Sequence, residues 1–345
     1  MNEPKVQTLL RSQRTEDRLR AAKLLARQRG PLDLLLRALR DRSPYVAAVA
    51  AEAPVECADE EAAPAMVECF EYLSEKGAKR DPGCHIRSHL AFALGRLEYT
   101  PAAEALRVGI RTVQLEPGFG GPADTADHLR ANCALALAQF RAHGAIRDIA
   151  LLLFGDAQQC LVPGRPVPQH SQQERKAAAQ ALARCGSREA LVPLATKLTY
   201  PEREDPDILQ ECMQAAVDLE DPRALELLEP YLHHDDEHLA AFAALMVAQT
   251  GVPEAADLIR DTLDRLSGDP LRAAVMALTV LRSDAGRAAL HELAYHPQQA
   301  VRFALIAALS ALRDDDSRLV LERMAEEDPV AEVRRRANEA LAGEG

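Results

Sequence analysis

Gln298 to Arg313 reads Gln-Gln-Ala-Val-Arg-Phe-Ala-Leu-Ile-Ala-Ala-Leu-Ser-Ala-Leu-Arg, and this stretch decides the fold. Its apolar residues follow helical spacing on more than one side, and many of them are alanines. A helix with several apolar faces cannot bury them by itself, so it must pack against other helices of the same kind. The sequence therefore predicts a stack of similar helices.

The same phrase recurs along the chain, as Ile, Leu or Val followed by Arg and then an Ala-rich run. Asp-Pro pairs such as Asp81-Pro82 and Asp328-Pro329 precede several copies. There an Asp side chain caps free backbone N–H groups, and a Pro at the first helical position loses no needed donor. The clearest copies begin at Ile86-Arg87, Leu129-Arg130, Leu271-Arg272, Val301-Arg302 and Val333-Arg334.

Composition agrees with an all-helical interior. Apolar residues make up 48% of the 345 residues, yet aromatic residues make up only 4% and Trp is absent, so Ala, Leu and Val must form the core. We predict an all-α protein, a right-handed α-solenoid of about ten helix pairs, each with an A helix, a turn and a B helix lining the concave face. One solenoid is expected over residues 1–345, with N-terminal pairs in 1–54, pairs with inserted loops in 62–185 and regular pairs in 188–342.

These motifs resemble HEAT repeats, in particular the short HEAT-like repeats of phycobilisome lyases, and the resemblance covers essentially the whole chain. It implies the solenoid architecture and is nearly silent on activity. It also implies that the Arg of the motif pairs with acidic residues in the loops of neighbouring repeats. Pairs six and seven depart from this pattern, because Gln210 and Ala240 stand in place of the Arg.

The charge balance limits the possible partners. The chain has 41 Lys and Arg against 53 Asp and Glu, a net charge of −12, which argues against general binding of polyanions. Acidic clusters such as 314–316 and 326–328 are explained most simply as solvated turns and helix starts, where acids are favoured, and an acidic rim for a basic partner is the alternative. Seven cysteines without CxxC spacing indicate reduced thiols, and the sequence has no signal-peptide-like start or membrane-length apolar run, so we expect a cytoplasmic protein without membrane contact.

Three neighbouring pairs have longer segments between their A and B helices, at 74–83, 115–124 and 154–170. Equivalent loops of a solenoid emerge along one edge, so these three should lie side by side. Long loops in a compact protein tend to be functional or disordered. We therefore expect the functional site near pairs three to five.

Histidines on the B helices next to this edge are the sharpest chemical signal. His85 and His89 are four residues apart and share a helix face, and His128 and Asn132 take the equivalent positions one pair later. His85, His89 and His128 are therefore candidate metal ligands, although a polar groove face is the simpler interpretation. The full set of candidate partner-binding residues is His85, Arg87, His89, Phe119, His128, Arg130, Asn132, Arg165 and His170.

The predicted function is a non-catalytic scaffold that binds a peptide or protein partner in the groove near pairs three to five, without a cofactor and without catalytic residues. A lyase- or chaperone-like protein that binds a cofactor, a metal or a modified protein is the alternative. Nucleic-acid binding has less support, because the chain is acidic and lacks Trp. Its one argument is a row of arginines that resembles a phosphate track: Arg87, Arg130, Arg175, Arg272, Arg302 and Arg334.

Overall fold

The computed structural model describes residues 3–28, 31–56, 60–118, 121–154, 171–200, 204–252, 254–281 and 283–343. The described chain divides into two compact units, Met1–Leu194 and Ala195–Gly345. The division falls inside the stretch 188–342 that the sequence predicted as one regular run. Among the helices of these ranges there is no candidate for a membrane span.

The first unit contains pairs one to five. Its helices are α1 (Glu3–Leu10), α2 (Thr15–Gln28), α3 (Leu32–Leu39), α4 (Pro44–Glu56), α5 (Ala63–Ser74), α6 (Gly77–Arg80), α7 (His85–Arg96), α8 (Ala103–Ile110), α9 (Asp127–Gln139), α10 (Ala145–Leu153) and α11 (Gln172–Arg184). Its two strands are β1 (Leu115–Gly118) and β2 (Gly121–Asp124). Helix α6 is a short addition to pair three, between the A helix α5 and the B helix α7.

Pairs six to ten follow, with α12 lying across the division between the units. Their helices are α12 (Leu191–Leu198), α13 (Pro206–Asp218), α14 (Ala224–Leu228), α15 (Glu237–Gln249), α16 (Ala255–Arg260), α17 (Gly268–Val280), α18 (Asp284–Leu293), α19 (Gln299–Leu312), α20 (Asp315–Glu327) and α21 (Ala331–Ala342). Within the described ranges the helices thus make ten pairs, which confirms the predicted all-α solenoid class.

Each unit is built from two layers of helices. In the first unit the B helices α2, α4, α7, α9 and α11 pack in succession, and the A helices α1, α3, α5, α8 and α10 form the second layer. In the second unit the B helices α13, α15, α17, α19 and α21 pack in the same successive way. Stacking of neighbours buries the apolar faces that no single helix buries alone.

Helix α19 contains the stretch that decided the fold. Val301, Leu305 and Leu309 are buried in it together with alanines between them, so apolar side chains are buried on more than one face. Arg313 directly follows its last residue with a positive φ of 53°, which ends the helix. The predicted helix from Gln298 to Arg313 agrees with the structure to within one residue at each end.

The segment predicted as an inserted loop in pair four is instead an antiparallel β-hairpin. Strands β1 and β2 pair from Leu115 with Asp124 to Gly118 with Gly121. Pro117 lies opposite Pro122, which must be a pair without backbone hydrogen bonds because proline has no N–H. A strand signal is missing from this stretch of sequence, because glycine and proline replace the β-branched and aromatic residues on which strand prediction depends.

Close packing around Gly109 of α8 predicts a measurable cost of adding one methyl group. A Cβ at Gly109 would clash with Sγ of Cys133 in α9 and would lie 2.9 Å from Cζ of Phe70 in α5. We expect Gly109→Ala to lower the free energy of unfolding by about 1–3 kcal/mol, measured by urea denaturation. Gly343→Ala is the control, because its Cβ meets no atom closer than 3.5 Å. Equal stability of both variants would contradict this packing.

Candidate functional site

Asp81 organises the start of the B helix of pair three. Its side chain is 1% exposed and accepts hydrogen bonds from the backbone N–H groups of Ile86 (2.9 Å) and Arg87 (3.1 Å). It also accepts a bond of 2.9 Å from Nε of Arg87. The Asp of the Asp-Pro pair therefore caps α7 as the sequence predicted, although a short 3-10 turn over Pro82–Cys84 separates it from the helix.

Arg87 connects this capped turn to the next pair. Its guanidinium donates to Oε1 of Gln114 (2.5 Å) and to Sγ of Cys84 (3.2 Å), and only 2% of the residue is exposed. The amide of Gln114 in turn donates to the carbonyl oxygen of Asp81 at 3.0 Å. Pairs three and four are thus joined by a closed ring of buried hydrogen bonds.

Arg130 has the equivalent role in pair four. Its Nη2 lies 2.6 Å from Oδ2 of Asp124 at the end of the hairpin, and its Nε pairs with Glu174 in α11 of pair five. Nη1 donates to the carbonyl oxygen of Thr112 at 2.6 Å, and the residue is 2% exposed. One guanidinium therefore holds two buried carboxylates from two pairs.

The ion pairs that the repeat resemblance implied are confirmed at further places in the chain. Arg18 in α2 pairs with Asp41 of pair two at 2.8 Å, and Arg302 in α19 pairs with Asp328 of pair ten at 2.8 Å. The pattern is not uniform, because Arg272 is 59% exposed and its ion pair within the described part of the chain is with Asp269 of the same helix. Burial of the motif arginine therefore depends on an acid from a neighbouring turn.

The β-hairpin is attached to pair three through Glu116. Its Oε1 accepts a 2.9 Å hydrogen bond from the backbone N–H of Gly83 and a 2.5 Å bond from the amide of Gln114. Partial burial by itself would raise the pKa of Glu116, but these two bonds, with smaller contributions from Thr125 and the nearby His85, lower it. Glu116 is therefore held as a carboxylate against the turn.

The B-helix residues that were predicted from their spacing differ in their surroundings. His85 and His128 are exposed. The ring of His85 lies over Gly83, whose positive φ of 71° and lack of a Cβ leave the room it occupies. Asn132 is half-buried and donates to Oγ (2.9 Å) and to the carbonyl oxygen (3.2 Å) of Ser88, so it links α9 to α7.

The metal hypothesis for His85, His89 and His128 gains no support from the described ranges. No group of three or more His, Cys, Asp or Glu side chains there has an arrangement that would hold a metal ion. The metal site stays a prediction from the spacing of the three histidines. Three further candidates, Phe119, Arg165 and His170, lie outside the described residues.

The B helices of pairs three to five line an open cavity, and the predicted binding residue Asn132 is one of its lining residues. It has a volume of about 230 Å³, and we call it the B-helix groove. Phe92, which is 42% exposed, and Leu135 supply apolar surface. Arg96 and Arg184 contribute the positive charges. A signal was present, because the spacing from His85 to His89 continues along the same helix face to Phe92 and Arg96.

The row of arginines does not form a phosphate track. Arg87, Arg130 and Arg302 are at most 6% exposed, and each is paired with a carboxylate. Phosphate binding needs accessible cations along a surface. The main argument for nucleic-acid binding from the sequence is therefore removed at these three positions.

Comparison with known proteins assigns the repeats. The family model described as HEAT repeats matches residues 169–249 and 259–342. The resemblance to HEAT repeats that the sequence suggested is thereby confirmed for these two stretches, which together make up just under half of the chain. No curated protein matches the chain by sequence.

Solved structures of low sequence identity have a similar fold. Kap121p is 13% identical with a TM-score of 0.55, and the match covers 100% of this chain and 41% of Kap121p. For Kap121p bound to Pho4p the values are 12%, 0.55, 99% and 40%. The chain thus spans about two fifths of the length of Kap121p, and at this identity the likeness shows the fold alone.

The phycocyanin lyase complex of CpcE and CpcF from Nostoc sp. PCC7120 is 18% identical, and the match covers 75% of this chain and 89% of that chain. Its TM-score of 0.36 is too low to carry an argument about this protein.

Removal of the Arg130 charge should be strongly destabilising. Arg130→Met leaves Asp124 and Glu174 buried without their cation, and breaking a buried ion pair in this way costs roughly 3–5 kcal/mol. Arg272→Met is the matched control at the same motif position, and loss of its exposed pair should cost less than about 1 kcal/mol. Urea denaturation followed by circular dichroism measures both. A mild effect of Arg130→Met would show that the two carboxylates find other partners.

The described cysteines should resist alkylation in the folded protein. Cys69, Cys84, Cys133, Cys185 and Cys212 are free and buried. Burial raises the pKa of Cys84 to about 12, so at pH 8 only about one thiol in ten thousand is the reactive thiolate. Iodoacetamide labelling at pH 8, mapped by mass spectrometry, should modify these five sites only after urea is added. Rapid labelling of Cys84 without urea would contradict its burial.

Proposed function

We propose that this protein is a non-catalytic interaction scaffold that binds a peptide or protein segment in the B-helix groove of pairs three to five. The groove itself is the observation that carries the proposal. It combines an exposed aromatic ring, a depression and two arginines from the B helices α7 and α11, which lie on either side of α9. We also propose a cytoplasmic location, which the free thiols of the described cysteines support.

Close approach of two helices creates the depression. A Cβ at Gly95 of α7 would lie 3.0 Å from Cβ of Ala136 in α9, so the small residues let the two backbones come together. Phe92 and Leu135 stand beside this point. An apolar side chain from a partner would bury its surface against the ring of Phe92, and such aromatic anchors commonly dominate binding energy.

The charges beside the groove favour an acidic residue next to that apolar side chain. Arg96 on α7 and Arg184 on α11 border the cavity, and arginine binds carboxylates through paired N–H groups. The basic partner suggested by the sequence rests on acidic turns elsewhere in the chain, such as 314–316. We propose that the segment in the groove itself is apolar and acidic, whatever the charge of the rest of the partner.

The predicted binding residues have separate roles in this proposal. His85 and His128 are exposed at the first turns of α7 and α9, so a segment that extends along the B helices would meet them. His89 lies between them and the groove on the same face of α7. Arg87 and Arg130 would act indirectly, because their hydrogen bonds and ion pairs hold pairs three to five together. Asn132 links α9 to α7 and also lines the groove, so a bound segment would meet it directly. Phe119, Arg165 and His170 stay predictions for the neighbouring edge.

The fold comparison supports the binding of a macromolecule in general and does not indicate which one. Kap121p, which has a similar fold, has been solved bound to Pho4p. A stack of helix pairs offers a long, rigid face that suits an extended segment.

A random-peptide display library tests the groove. We expect peptides selected on the wild-type protein to contain an apolar residue next to Asp or Glu, and to lose at least about tenfold in affinity for Phe92→Glu. Val108→Glu is the control, since it adds the same charge at a 56% exposed apolar residue of the A helix α8. If the selected peptides bind both variants equally well, the groove is not the binding site.

A further inference from the structure

Pairs one and two contain a second cavity with a different character, here called the arginine cavity. It has a volume of about 290 Å³ and lies where the turns of the two pairs meet. Its walls include five arginines and one carboxylate: Arg11, Arg18, Arg37, Arg40, Arg42 and Asp41. This local excess of positive charge occurs in a chain whose net charge is −12.

The carboxylate of Asp41 is already fully used by the fold. Oδ2 pairs with Nε of the buried Arg18 at 2.8 Å, and Oδ1 accepts a 2.8 Å bond from the backbone N–H of Ser43. Nη1 of Arg18 donates to the carbonyl oxygens of Ser12 (3.0 Å) and Gln13 (2.9 Å). Arg18 and Asp41 therefore form a neutral, fixed floor that leaves the other four arginines uncompensated within the cavity.

Two of the remaining arginines are held loosely by the chain. Nη2 of Arg42 donates to the carbonyl oxygen of Gln13 at 3.0 Å, which places this guanidinium beside that of Arg18 on the same acceptor. Arg40 pairs with Glu68 at 3.1 Å, with the two side chains 48% and 69% exposed. Exposed pairs of this kind contribute little stability, so Arg40 can exchange Glu68 for another anion.

Arg11 and Arg37 complete the set. Both are exposed, and within the described ranges their guanidinium groups form no hydrogen bond or ion pair. Like charges that share a cavity repel one another and oppose folding unless an anion binds between them. The arrangement is thus suited to a ligand with several negative oxygens.

We propose that the arginine cavity binds the phosphate group of a phosphorylated protein segment. A phosphorylated side chain has a charge of about −1.5 to −2 and three acceptor oxygens, which matches several guanidinium groups better than a single carboxylate does. This site is separate from the B-helix groove and does not depend on the function proposed for it.

Nucleic acid fits the same surroundings less well. Its backbone needs cations along a path several phosphates long, and it gains affinity from stacking aromatics. The arginine cavity is a single compact recess, and the acidic surface of the chain repels an extended polyanion. One phosphate on a flexible peptide enters the recess without covering that surface.

The proposal is tested with a fluorescein-labelled peptide mixture that has one fixed phosphoserine between randomised positions. Its binding is measured by fluorescence anisotropy at physiological ionic strength. We expect Arg11→Gln/Arg37→Gln to weaken binding by about tenfold or more, because two charge-assisted contacts are lost. Arg20→Gln/Arg27→Gln is the control, since it removes the same charge from exposed residues of α2 outside the cavity and should change affinity less than about twofold. Both double variants alter exposed side chains, and circular dichroism verifies their folding.

Further arms separate the possible ligands. Inorganic phosphate should compete with the phosphopeptide mixture, and the same mixture with unmodified serine should not bind measurably. Phe92→Glu in the B-helix groove should leave phosphopeptide binding unchanged. Equal affinity of both double variants, equal binding of the serine mixture, or tighter binding of a single-stranded oligonucleotide than of the phosphopeptide would overturn the proposal.

Discussion

A guanidinium group without solvent must have its charge neutralised inside the protein, and this constraint governs how the pairs of the first unit join. Arg130 meets it with Asp124 from its own pair and Glu174 from the next. Arg87 meets it with Asp81, which also caps α7, the helix that contains Arg87. Because desolvated ions tolerate little displacement, the Arg130–Glu174 contact fixes the distance and rotation between pairs four and five more sharply than alanine packing alone.

The same contacts decide which surfaces remain for binding. Gln114 and Glu116 hold the hairpin against pair three, and Asp124 bonds to Arg130 and Gln114 within pair four, so the polar residues of this turn edge serve the fold. The B-helix face behind that edge has a different composition. Phe92 and Leu135 remain beside a depression there, supported by a framework that the buried arginines make rigid. Rigidity of this kind lowers the entropy lost when a partner binds.

The fold was predictable because its signals are local. The spacing of apolar residues around Val301 and Arg302 predicts a helix, and the recurrence of this spacing along the chain predicts a stack of helices. The hairpin was not predictable, because its pairs include Gly118 with Gly121 and Pro117 with Pro122, and glycine and proline signal loops. Strand propensity describes a packed pleated surface, which this hairpin lacks.

The candidate site was only partly predictable for a related reason. Spacing placed His85 and His128 correctly on exposed B-helix positions but could not tell that Arg87 and Arg130, two residues further on, are buried. That outcome depends on where acids from other turns arrive. The B-helix groove likewise depends on the approach of Gly95 to Ala136 across two helices, a distance that no single helix encodes.

The acids around an arginine thus decide whether it serves the fold or is left to bind a ligand. Arg18 is neutralised by Asp41 and belongs to the floor, whereas Arg11 and Arg37 share the same cavity without a described counterion. Net charge averages over such differences, so a total of −12 argues against polyanion binding by the whole surface and says nothing about one recess. In a repeat protein the charges of each pair and its immediate neighbours therefore decide which ligand a recess attracts, because the fields of distant exposed charges are screened within about 10 Å.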